Sequence, residues 1–186
     1  MSSASSPVPP SLLPVDEAVA RAAQVLERAE PRSEHWLALY RDLHAHPELS
    51  MQERRTAGLL AAELRASGLE VTEGVGGTGV VGLLRNGPGP VVMLRGDMDG
   101  LPLREETGLP YQSRDTGVTA AGDTVPVMHA CGHDAHVAAL AATADTFAQA
   151  KGQWSGTLMI VGQPGEELTA GARAMPSDWQ GLYLPD

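Results

Sequence analysis

A single cysteine, Cys131, in 186 residues rules out an intrachain disulfide, which fits a reducing compartment and predicts a cytoplasmic protein. Aromatic residues make up only 4%, so the core must be built mainly from Leu, Val, Ala and Met. Basic residues are also scarce. Lys and Arg number 13 against 23 Asp and Glu, for a net charge of -10. That balance excludes the clustered positive charge of a nucleic-acid footprint, and equally a polybasic membrane surface. No apolar run approaches the ~20 residues of a membrane span. The start has neither a basic nor a long apolar region of the kind a signal peptide needs. Its Ser and Pro content predicts a disordered leader over residues 1–14.

What remains, 42% hydrophobic and 19% charged, is the composition of one globular domain with a real core. Val15, Val19, Ala22 and Leu26 recur at helical spacing and predict a helix over about 16–30, ended by Pro31. A second helix carries Trp36, Leu39, Tyr40 and Leu43 and is closed by Pro47. Ser50 and Glu53 read as a capping box opening a third helix, with Leu60 and Leu64 inward and Gly68 beyond its end. Short apolar runs at 79–84 and 91–95 read as strands, and Asn86-Gly87-Pro88-Gly89 between them as a hairpin-type turn. A polar loop follows over 96–126. A fourth helix is expected over 135–150, with His136, Leu140, Thr143 and Phe147 on one stripe. A buried strand is expected at 157–161, then a turn and a short helix from about Thr169 to Pro176. Helices alternating with short strands predict an α/β fold with a mixed sheet.

Three polar clusters follow or approach the predicted strand ends, which is where open α/β sheets bind ligands. In Arg95-Gly96-Asp97-Met98-Asp99, two carboxylates at i and i+2 share one side of an extended backbone. They either hold a cation, orient a ligand, or are solvated loop residues. His129-Ala130-Cys131-Gly132-His133-Asp134-Ala135-His136 gathers thiol, imidazole and carboxylate, the donors that suit Zn²⁺, Mn²⁺ or Co²⁺. Cys131 and His133 can reach one site, with Gly132 letting the backbone pass close and Asp134 orienting an imidazole. His136 reads equally as a buried helix residue. In Gln163-Pro164-Gly165-Glu166-Glu167, adjacent glutamates project to opposite sides. One can ligate a metal while the other acts as general base, or both simply favour a helix N-terminus.

These clusters, in order, resemble one family. The match runs through Arg41-Asp42-Leu43-His44-Ala45-His46-Pro47-Glu48-Leu49 and Leu94-Arg95-Gly96-Asp97-Met98-Asp99-Gly100-Leu101-Pro102. It continues through Glu105-Glu106-Thr107-Gly108-Leu109-Pro110-Tyr111, Met128-His129-Ala130-Cys131-Gly132-His133-Asp134 and Gln163-Pro164-Gly165-Glu166-Glu167. The sequence resembles the metal-dependent amidohydrolases of the aminoacylase and carboxypeptidase type, among them hippurate hydrolase, N-acyl-amino-acid hydrolases and auxin–amino acid conjugate hydrolases. The resemblance implies an α/β/α sandwich of the zinc-exopeptidase type, incomplete at the C-terminus. It also implies two divalent metal ions (Mn, Zn or Co) and a small-molecule N-acyl amino acid substrate. Cys131, His133 and Glu167 become metal ligands by it, Glu166 the general base, and Asp99 a carboxylate behind the ligands. Asp97 stands where related peptidases have a metal-binding histidine and is left unassigned. His44 and His46 mark the family without a catalytic role.

Family members are longer, with further catalytic-domain strands that bring two more histidine ligands, and an inserted domain that dimerises. The last histidine in this sequence is His136. The expectation is therefore a fragment, residues 15–186 being the N-terminal portion of the catalytic domain of a parent that can form a homodimer. The alternative reading is an inactive product that serves at most as a metal-binding or interaction module.

Overall fold

Leu60 and Leu64, placed inward by helical spacing, are both fully buried, and the rest of the fold is arranged around them. The structure, a computed structural model, describes residues 14–175. The expected leader, up to residue 13, and residues 176–186 lie outside the described residues. In chain order the elements are α1 (Val15–Leu26), α2 (Ser33–Ala45), α3 (Arg54–Ala66), β1 (Glu70–Val75), β2 (Gly79–Asn86) and β3 (Val91–Asp97). Then come β4 (Thr116–Val118), β5 (Thr124–Pro126), α4 (His133–Gln149), β6 (Gly156–Gln163) and α5 (Gly171–Ala174). Among the described residues, no helix is long and apolar enough to cross a membrane.

Four strands form one sheet in the order β1, β2, β6, β3. β2 is antiparallel to β1 and β6, and β3 is parallel to β6, so the sheet is mixed as expected. Leu43 of α2, Leu60 and Leu64 of α3, and Val137 and Ala141 of α4 pack against Val80 and Leu84 of β2 and Ile160 of β6. Each buried Leu or Val contributes roughly 1.5–3 kcal/mol by leaving water. On the opposite face Val81, Met159 and Val161 meet Met175 beside α5. The described residues thus make a helical layer, a mixed sheet and a short cover on the second face.

Several local expectations change. The first helix stops at Leu26, and Pro31 sits in a separate 3-10 turn, Glu30–Arg32. The Asn86–Gly89 turn is not a hairpin, because β6 lies between β2 and β3. Asn86 instead donates to the carbonyls of Lys151 and Trp154 at 2.8 and 2.6 Å, fastening the segment that leads into β6. β1, unrecognised in the sequence, pairs with β2 along its length. The buried stripe of α4 centres on Val137, Ala141 and Ala144 rather than on His136, Thr143 and Phe147.

The capping box also gives way. Ser50 donates to Asp99 at 2.6 Å, and Glu53 accepts from other loops. Glu48 caps α3 instead, its two oxygens accepting the Arg55 N–H at 3.0 Å and the Thr56 N–H at 2.8 Å. The Thr56 hydroxyl adds a third bond at 2.9 Å. The helix ends as foreseen, with Gly68 N–H on the Arg65 carbonyl and Leu69 N–H on the Leu64 carbonyl. Glu48→Ala is expected to cost about 1 kcal/mol in urea unfolding, the usual worth of a side-chain N-cap. A change indistinguishable from zero would mean that water replaces the cap.

Candidate metal centre

Because β3 and β6 are parallel, with Asp97 paired to Gln163, their carboxyl ends open at the same edge of the sheet. The polar segments that follow both strands therefore meet. α4 begins at this edge too, and its first residue is His133. Gly132, before it, has a left-handed φ of 79°. A Cβ there would meet nothing within 4 Å, so this glycine serves the backbone turn and not the close approach the sequence led us to expect.

Asp99 is the hub. It is 1% exposed and accepts the Ser50 hydroxyl at 2.6 Å and the Glu167 N–H at 3.0 Å. His133 Nδ1 lies 2.9 Å from the Asp99 carbonyl oxygen and 3.3 Å from its carboxylate. This fixes the ring, with Nδ1 as donor and Nε2 left free. Electrostatics follow from the same contacts. Burial pushes the Asp99 carboxyl up, but the bonds from His133, Ser50 and the Glu167 N–H outweigh it and bring the pKa to about 2. The Asp99 hydrogen bond, against the opposing effect of burial, raises His133 to about 9.

One ligand atom each from His133, Glu166 and Glu167 lies within 4.8 Å of the other two. His133 Nε2 is 3.9 Å from Glu166 Oε2. Oε1 of Glu167 is buried without a hydrogen-bond partner. Cys131 is exposed and stands outside that trio, though beside Glu167, whose hydrogen bond holds the thiol above its usual pKa. The structure therefore brings together His133, Glu166, Glu167 and Asp99, with Cys131 at the margin.

Three other residues of the histidine cluster behave differently. Asp134 does orient an imidazole, but that of His44, at 2.6 Å, and the second nitrogen of His44 meets Glu105 at 3.1 Å. All three are buried. Burial alone would lower the His44 pKa, yet the two carboxylates raise it. The chain Asp134–His44–Glu105 ties α4 to α2 and to the loop after β3. His129 is buried, and that burial pulls its imidazole below the ordinary value. His136, expected on a buried stripe, has a side chain 48% exposed and lies 3.6 Å from Asp97.

Residues 93–183 match Peptidase family M20/M25/M40. The hippurate hydrolase of Campylobacter jejuni is 43% identical over 142 residues, which are 76% of this chain and 34% of that protein. An N-acetylcysteine deacetylase of Bacillus subtilis is 39% identical over 135 residues, 72% of this chain and 33% of its own length. A solved structure described as a dinuclear metal binding peptidase from the M20 family, from Bacillus subtilis, superposes with a TM-score of 0.70 at 34% identity. That superposition covers 80% of this chain and 40% of the other. The chain spans about a third of the length of the curated relatives it matches.

Proposed function

The chain is a relative of the M20/M25/M40 peptidases, and from that premise we propose that its site carries out metal-dependent hydrolysis of the amide bond of N-acyl amino acids or related conjugates. The observation that carries the reading is the convergence of His133, Glu166 and Glu167 at the carboxyl ends of two parallel strands. One relative is named for N-acetylcysteine, itself an N-acyl amino acid.

The residues suit a divalent ion. A buried carboxylate oxygen of Glu167 has no partner, which is costly unless a cation or a donor reaches it. Imidazole, carboxylate and thiol are donors for Zn²⁺, Mn²⁺ or Co²⁺. Cys131, His133 and Glu167 would hold two such ions. Bound there, they supply Lewis acidity toward the substrate carbonyl and acidify water. Asp99 keeps His133 Nδ1 as donor, so Nε2 is the nitrogen through which the ring would bind a metal once its proton is displaced. Glu166, with a side chain 44% exposed, takes the proton of the attacking water and delivers it to the departing amide nitrogen. The products are a carboxylic acid and a free amino acid. Beside Glu167 lies a cleft of about 480 Å³ whose lining includes Leu49, Leu101, Pro102 and Leu168, which suits an apolar acyl portion.

A second reading, a metal-binding module without turnover, is favoured by one observation. Among the described residues, Cys131, His133, Glu166 and Glu167 offer fewer donors than two four-coordinate ions require. Metal content and hydrolysis of a panel of N-acyl amino acids, with Glu166→Ala alongside, separate the two. The first reading expects metal-dependent release of free amino acid that falls at least roughly 100-fold in the variant, as loss of a general base should. Bound metal without turnover would favour the module. Turnover untouched by Glu166→Ala would sink the assignment of the base.

A further inference from the structure

We propose that Asp97, His133 and His136 form a second divalent-cation site, distinct from the Cys131–His133–Glu167 set and competing with it for the one free nitrogen of His133. It rests on the preceding reading only in sharing that imidazole.

One ligand atom from each of the three residues lies within 4.8 Å of the others. Asp97 Oδ2 is 3.6 Å from His136 Nδ1, and the Asp97 N–H points at the same nitrogen from 3.4 Å. His133 and His136, three residues apart on α4, stack their rings at 5.2 Å and 24°. The other carboxylate oxygen of Asp97, Oδ1, is buried and has no hydrogen-bond partner. A cation would satisfy it.

The backbone is shaped for this approach. A Cβ on Gly96 would come within 3.1 Å of His136 Cβ and 3.0 Å of Leu140 Cδ1. α4 can cross the end of β3 this closely because residue 96 has no side chain, and the crossing is what sets His136 over Asp97. Two imidazoles and one carboxylate form a three-protein-ligand set that leaves room for water, as open zinc sites do. The half-exposed His136 gives an ion access from solvent.

Exclusivity follows from His133. Its Nδ1 is committed to Asp99, so Nε2 alone can bind metal, and one lone pair serves one ion. The chain can therefore load an ion on the Glu167 side of His133 or on the Asp97 side.

Cobalt(II) titration of the whole chain tests this, because thiolate ligation produces a charge-transfer band that nitrogen and oxygen ligands do not. The double variant Cys131→Ala/Glu167→Gln is expected to bind one cobalt ion with visible ligand-field bands and no charge-transfer band. Adding His136→Gln, or separately the isosteric Asp97→Asn, should weaken that binding by at least about 10-fold, the loss typical even for an outer-shell partner. Circular dichroism checks that each variant folds. No cobalt binding by the double variant, or binding unchanged by both further substitutions, would overturn the proposal. In the unmodified chain, absence of the charge-transfer band would instead remove Cys131 from the first ligand set and leave this site standing.

Discussion

Replacing Glu53 by alanine is expected to lower folding stability by about 4 kcal/mol and to loosen the Glu166-Glu167 segment at the same time. The Glu53 carboxylate is fully buried. One oxygen accepts the N–H of Met51 at 2.8 Å and that of Gly165 at 2.7 Å, and the other accepts the Thr78 hydroxyl. Three donors from three separate loops converge on one side chain. Alanine removes every acceptor while the donors stay where they are, and each buried orphan costs roughly 1–3 kcal/mol. The hydroxyl can rotate toward another partner but the N–H groups cannot, and the vacated volume adds a cavity cost. Glu53→Gln keeps one acceptor oxygen and should cost much less. The functional consequence comes through Gly165, whose N–H is held next to Glu166 and whose φ of 55° sets the turn after β6. Urea unfolding measures the first effect. Cobalt affinity at low urea, where Glu53→Ala is still folded, measures the second. A loss under about 1 kcal/mol for alanine would mean that water replaces the carboxylate and that Glu53 is not the tie between the loops.

Glu53 also shows where a sequence reading stops. The spacing Ser50-x-x-Glu53 is that of a reciprocal cap, and nothing local tells it apart from one. Tertiary donors won, because a carboxylate that satisfies three buried groups is worth more than one that satisfies a helix end. Glu48 was free to take over the cap. The hairpin expectation failed for a related reason. Asn86-Gly87-Pro88-Gly89 carries a turn signal, but sheet order depends on β6, some 70 residues downstream. β1 escaped notice because Glu70, Glu73 and Gly74 dilute its apolar pattern on an edge strand. In α4 the buried face mixes Ala138, Ala141 and Ala144 with the polar His133, Asp134, Asp145 and Thr146, so the contrast between faces is weak. The candidate site was far more legible. Its donors sit in short runs directly after strands, and strand ends are positions that periodicity does locate. The Asp134–His44–Glu105 chain was not, since its members lie 90 and 61 residues apart.

The other large effect belongs to Asp99→Asn, and its size should depend on pH in a way that identifies its cause. Asp99 has a folded pKa of about 2 against 3.8 for the free group, so its contribution is present above pH 3.8 and is lost as pH falls through 2. His133 has a folded pKa of about 9 against 6.5, so its contribution is complete below pH 6.5 and is lost as pH rises through 9. The two shifts describe largely one interaction. The stability gap between the parent chain and Asp99→Asn should therefore reach about 2 kcal/mol between roughly pH 4 and 6.5 and shrink on either side. What remains at high pH is the bonding of Ser50 and the Glu167 N–H, which asparagine reproduces in part. Metal affinity should move differently. In the parent, a cation must displace the Nε2 proton of His133, so binding weakens about tenfold per unit below pH 9. In Asp99→Asn the histidine returns toward its ordinary value and that competition fades near pH 6.5. The variant also loses the partner that orients the ring, worth about 10–100-fold. The variant should accordingly bind cobalt about 10–100-fold more weakly at pH 9 and approach the parent near pH 7, where relief from the proton offsets the lost orientation. Unfolding and cobalt titrations across pH 4–10 test both statements. A stability gap that stays flat across the range would show that Asp99 acts by packing and neutral hydrogen bonds, with the His133 ion pair contributing nothing.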